Sequence, residues 1–167
     1  MTRALVALLV LSASLFFAEG ALVRERRGLN TRTLEAARAT PEWKQCLAEC
    51  SSCHMAFPPN LLPASSWQRM ISTSPEHFGQ LVTLDASTSA RLAAFLTKFA
   101  GPPATNASLR ITSSVWWVRA HDELTASVYL RPPILSAANC PACHRAAEQG
   151  RFGEAEVIIP REKPTAP

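Results

Sequence analysis

Apolar residues recur at helical spacing in three stretches of the chain. Trp43, Cys46, Leu47 and Cys50 stand at i, i+3, i+4 and i+7. Thr40-Pro41 ahead of them offers an N-cap and a proline at the first helical position. Trp67, Met70 and Ile71 share one face of a second, shorter helix. Leu92, Phe95, Leu96 and Phe99 mark a third, predicted over 86–100. Asp85 caps its start, Gly101 is placed to cap its end, and Pro102-Pro103 forbids continuation. Between the first two, Phe57-Pro58-Pro59-Asn60-Leu61-Leu62-Pro63 reads as an extended loop pinned by proline.

Beyond Pro103 the pattern loosens. The run 111–118 is largely apolar and holds Trp116 and Trp117. Residues 128–131 read as a short extended stretch stopped by Pro132-Pro133, and 157–160 as a closing strand or extended tail. A helix is predicted from about Cys140 through Gln149 to Gly150. The fold expected is mainly α, regular in its first half and irregular in its second.

The N-terminus has another character. Met1-Thr2-Arg3 precedes an almost unbroken apolar run to Ala18, and Ala18-Glu19-Gly20 supplies small residues for cleavage. Residues 1–20 therefore predict a secretory signal peptide and an exported, periplasmic protein that does not span the membrane once cleaved. An uncleaved anchor is the other reading, although the apolar run is short for a bilayer. Residues 21–39 carry Arg24, Arg26, Arg27, Arg32 and Arg38 around isolated leucines, which predicts a polar, partly disordered lead-in on the surface. The remainder divides at the Gly101–Pro103 stop, giving domains 40–103 and 104–167.

Composition excludes several classes. With 47% hydrophobic residues the chain is not a disordered one. The net charge of +4 is mild, and no basic run interleaves with aromatics, so nucleic acid is not an expected partner. Asn106-Ala107-Ser108 matches a glycosylation sequon, which in a bacterial-type exported protein is better read as chance.

The chemistry lies in two copies of C-x-x-C-H, Cys50-Ser51-Ser52-Cys53-His54 and Cys140-Pro141-Ala142-Cys143-His144. Two such cysteines can form thioethers to the two vinyl groups of a porphyrin, and the adjacent histidine ligates the iron. C-x-x-C also serves zinc sites and thiol–disulfide enzymes. Zinc ribbons, however, set their pairs about 15–20 residues apart, whereas 86 residues separate Cys53 from Cys140. A redox dithiol has no need of the following histidine. Two haems in 167 residues would form much of the apolar interior themselves, so the haem-free chain is expected to fold poorly.

Four histidines are present: His54, His77, His121 and His144. Two belong to the motifs. One more remains in each half, and the count fits two imidazoles on each iron. Ordinary surface or core roles for His77 and His121 stay open, as does Met70 for the first iron. Two imidazoles leave a haem potential lower than a thioether does, and a saturated iron has no place for oxygen or peroxide. Cys46 reads as a small buried apolar residue, with a reactive thiol as the alternative.

These pieces together resemble the bacterial family of small periplasmic dihaem cytochromes c. The matching residues are CSSCH at 50–54, Leu62-Pro63 with Trp67 and Met70, and His77-Phe78-Gly79. They continue with Arg110-Ile111-Thr112, Trp116 and Trp117 with His121, CPACH at 140–144 and Gly150-Arg151-Phe152. The resemblance runs from about Trp43 to Pro160. It implies a shortened cytochrome c-like helical domain followed by a haem domain with little regular secondary structure. It implies two covalent haem c groups, with His77 and His121 as distal ligands. It also implies electron transfer between a membrane b-type cytochrome and a soluble high-spin monohaem cytochrome c. A haem enzyme with one open iron, reducing peroxide or a nitrogen oxide, is the alternative.

Overall fold

The computed structural model describes residues 31–161 apart from 74, 75 and 106. The signal-peptide and sequon readings lie outside these residues.

Six α-helices and several 3-10 turns occur among the described residues, and no strand does; pairing is limited to isolated bridges such as Pro63 with Gly101 and His144 with Val157. Helix α1 (Thr31–Arg38) falls where a surface lead-in was expected. Its Leu34 and Ala37 are buried, so these apolar residues are anchors rather than isolated exceptions. Helix α2 (Pro41–Cys50) starts at its proline as predicted. Thr40 spends its hydroxyl on the Ala37 carbonyl at 2.7 Å, so it closes α1 rather than capping α2.

Helices α3 (Ala64–Ser72) and α4 (Ala86–Lys98) pack together, and α4 also packs on α2. Trp43, Cys46, Leu61, Leu62, Trp67, Leu92, Phe95 and Leu96 form the core between them. Fully burying one such side chain contributes about 2 kcal/mol. Asp85 caps α4 by accepting the Thr88 N–H at 2.9 Å. The cap at the other end falls at Phe99, not Gly101. Gly101 instead donates its N–H to the Leu62 carbonyl at 2.8 Å and lies against the Asn60 backbone, where a Cβ would collide. The proline-rich loop is not spread over the surface: 59–61 make a 3-10 turn, and Pro58 to Leu62 are buried.

In the second half, 111–113 form a 3-10 turn, followed by α5 (Val115–Ala120) and α6 (Ala126–Tyr129). The expected extended stretch is therefore helical over 126–129. One residue there, Val128, is buried, so no alternation holds the segment straight. The helix expected after Cys140 is replaced by 3-10 turns at 140–142 and 147–149. The Cys143 carbonyl is taken by the Ile158 N–H at 3.0 Å, and Ala147 N–H turns back to His144 instead. The tail thus removes the acceptor that a continuing α-helix needs. Hydrogen bonds that cross between the halves include Ser66 hydroxyl to the Ser108 carbonyl (2.7 Å), Trp116 indole to the Leu61 carbonyl (3.3 Å) and Arg69 guanidinium to the Ala107 carbonyl (3.5 Å).

Candidate haem sites

The last turn of α2 delivers Cys50, and the chain leaves the helix to present Cys53 and His54 on the surface. The His54 ring lies on Phe57 (4.8 Å between centres, 30° between planes). Its Nδ1–H donates to the Met55 carbonyl at 2.7 Å, which leaves Nε2 with a free lone pair. His77 faces it, with 6.1 Å between ring centres and 32° between planes. His77 sits in a tight turn closed by the Gln80 N–H on its carbonyl at 3.0 Å. Phe78 in that turn has φ +51, and the Arg110 guanidinium from the second half lies 4.2 Å above its ring.

The second site repeats the arrangement. His144 and His121 also stand 6.1 Å apart between ring centres, with planes 76° apart. The Nδ1–H of His121 donates to the Trp117 carbonyl at 2.9 Å. Phe152 meets His144 edge-on at 5.4 Å. Burial first, and the facing imidazole second, hold His77 and His144 below the ordinary histidine range. Both stay neutral near pH 7, the form a metal requires.

No disulfide joins any of the five cysteines. A hydrogen bond from the Cys46 thiol lowers the pKa of Cys50, while that bond and burial push Cys46 up. Burial pushes Cys140 up to about 11 and also raises Cys143. Cys46 is 2% exposed, in keeping with a small core residue.

A profile of the family described as dihaem cytochrome c matches residues 46–152. This chain belongs to the dihaem cytochrome c family. Solved structures agree. The crystal structure of a dihaem cytochrome c from Shewanella baltica is 36% identical, with TM-score 0.65 over 72% of this chain and 94% of that one. A dihaem cytochrome c purified from Rhodobacter sphaeroides is also 36% identical, with TM-score 0.59 over 68% of this chain and 97% of that one. A search of curated proteins finds no match. The chain is thus a haem c electron carrier with two haem c groups.

The residues of this dihaem cytochrome fit two haems. Among the described residues no three His, Cys, Asp or Glu side chains gather to hold a bare metal ion. A porphyrin supplies four nitrogens and asks the protein for two. An iron between two coaxial imidazoles, about 2 Å from each nitrogen, sets their ring centres about 6 Å apart. Both pairs have that spacing. At the second site the Tyr129 hydroxyl is buried without a protein partner, a gap that a haem carboxylate would fill. Leu47, Phe78 and Trp116 are large apolar side chains left substantially exposed, which suits surfaces that a macrocycle covers.

His54 lies opposite His77 and His144 opposite His121, and His54 and His144 each follow their C-x-x-C pair directly in the chain. The aromatic residues around the imidazoles were not anticipated in these roles. Trp117, four residues before His121, and Phe57, three residues after His54, carried usable signals of near-neighbour spacing. Arg110 and Phe152 reach their neighbours through the tertiary fold.

Proposed function

We propose that this protein is an exported, periplasmic dihaem electron carrier with two imidazoles on each iron. Cys50 and Cys53 hold haem one within residues 40–103, with His54 and His77 on its iron. Cys140 and Cys143 hold haem two within 104–167, with His144 and His121. Relay runs between a membrane b-type cytochrome and a soluble high-spin monohaem cytochrome c. What supports the ligation is the equal 6.1 Å spacing of two histidine pairs in unrelated backbone settings.

The bound haem supplies a reversible one-electron couple; the chain sets its surroundings. Backbone carbonyls at Met55 and Trp117 orient one imidazole of each pair and raise its basicity. Phe57, Phe78, Trp117 and Phe152 flank the imidazoles and limit water beside them. Two imidazoles from one fold would hold each iron, so that little rearrangement would be needed as its charge changes.

The test is the absorption and paramagnetic resonance spectrum of the purified ferric protein, followed by carbon monoxide added after reduction. Two low-spin irons and no gas uptake are expected. A high-spin signal, or one carbon monoxide bound per chain, refutes the ligation and favours an enzyme with an open iron.

A further inference from the structure

The two histidine pairs agree in spacing and differ in rotation, 32° between planes in the first and 76° in the second. We propose that Trp117 is the positioning residue that holds His121 crosswise to His144, so that the two irons differ in electronic ground state. This rests on the two-imidazole ligation proposed above.

His121 follows directly on α5, at φ −127, outside helical geometry. Two contacts from one residue fix its ring. The Trp117 carbonyl accepts from Nδ1–H and fixes where that edge points. The Trp117 indole lies flat on the imidazole, 4.2 Å away and 15° from parallel, and fixes its rotation. A hydrogen bond alone leaves the imidazole free to swivel about the donor direction; the flat face removes that freedom. The indole is itself backed by Tyr129 at 5.8 Å. His144 takes its orientation from other elements. Its N–H is bonded to the Cys140 carbonyl at 2.8 Å, and Phe152 abuts its ring edge-on.

Among the described residues the first site shows no such clamp on the His77 ring. Phe78 meets His77 edge-on, 5.0 Å away and 63° from parallel, and the stacked partner belongs to His54.

Ring rotation matters because an imidazole donates π density into the iron d orbital perpendicular to its own plane. Two nearly parallel rings act on the same orbital of a degenerate pair and split it. Two crossed rings act on both orbitals alike and leave them close in energy. A ferric iron with crossed ligands keeps more orbital moment, and its low-spin resonance is far more anisotropic.

The experiment is low-temperature paramagnetic resonance of the haem-loaded ferric protein, as wild type, Trp117→Leu and Trp117→Phe. Wild type should give one ordinary rhombic low-spin signal and one highly anisotropic one. Trp117→Leu should lose the anisotropic signal to a rhombic one, with the other signal unmoved, and Trp117→Phe, which keeps a flat face, should retain it. Should Trp117→Leu fail to load haem, Trp117→Met takes its place. Two rhombic signals in wild type overturn the proposal. So does a wild-type spectrum in the Leu or Met variant, or loss of the anisotropic signal in loaded Trp117→Phe. A high-spin iron in wild type instead refutes the ligation itself.

Discussion

Replacing Gly150 with alanine should destabilise the folded protein through two separable penalties. Gly150 has φ +74, a left-handed conformation that costs a residue with a Cβ about 1 kcal/mol. A Cβ there would also fall inside the contact distance of the Leu34 Cδ2. Leu34 is 5% exposed and has little room to retreat, so the overpacking costs about 1–3 kcal/mol more. The total of about 3 kcal/mol is about 10 °C in Tm for a chain of this size. The two parts come apart in a double-mutant cycle. Leu34→Ala alone loses about 2–4 kcal/mol by leaving a cavity. In its background the added Gly150→Ala should cost only the backbone share, about 1 kcal/mol, because the clash is gone. Denaturant unfolding of the haem-loaded protein, followed by circular dichroism, measures all four corners. Strictly additive losses, or a neutral Gly150→Ala, would refute the docking of α1 against this turn. The site would feel the change as well. Gly150 lies two residues before Phe152, and the Arg38 guanidinium donates to the Gln149 carbonyl at 2.8 Å.

Asp85→Asn should flatten the acid limb of the stability curve. Hydrogen bonds from Thr88 and Ser87 hold the Asp85 carboxyl well below the usual carboxylate range. A depressed native pKa gives stability that is present above the unfolded value near 3.8 and lost as pH falls toward the native one. Urea unfolding between pH 5 and pH 2 reads the difference, and parallel curves for the two proteins would contradict it. His121→Ala should open one iron, so that the reduced protein binds about one carbon monoxide per chain; uptake of two, or none, contradicts the pairing with His144. Cys46→Ser should keep both covalent haems on a denaturing gel stained for haem, because the thiol lies outside either C-x-x-C-H. Arg110→Gln should cost about 0.5–1 kcal/mol, the loss of an exposed cation over the Phe78 ring, and a larger loss would show that Arg110 carries more than this contact.

Chemistry written in contiguous residues was legible along the chain. The two attachment motifs are local, since thiols and imidazole must reach one macrocycle from a few adjacent positions. Helices α2, α3 and α4 were legible for the same reason: their caps, prolines and apolar spacing act within a few residues of each other. Even His77 and His121 could be nominated as candidate ligands, by counting one spare imidazole in each half. Tertiary contacts decided the rest. Leu34 is no different in sequence from any lone leucine, and becomes an anchor because Gly150, far along the chain, leaves room for it. The segment after Cys143 has helical composition and is turned out of a helix by the tail that bonds the Cys143 carbonyl. The rotation of each imidazole depends on which ring lies against it: Phe78, Phe57 and Trp117 are near neighbours of His77, His54 and His121 in the chain, whereas Phe152 reaches His144 through the fold. Residue type and near-neighbour spacing therefore specify what can hold a haem and which ring stands beside most of the imidazoles, whereas long-range packing brings each histidine opposite its partner.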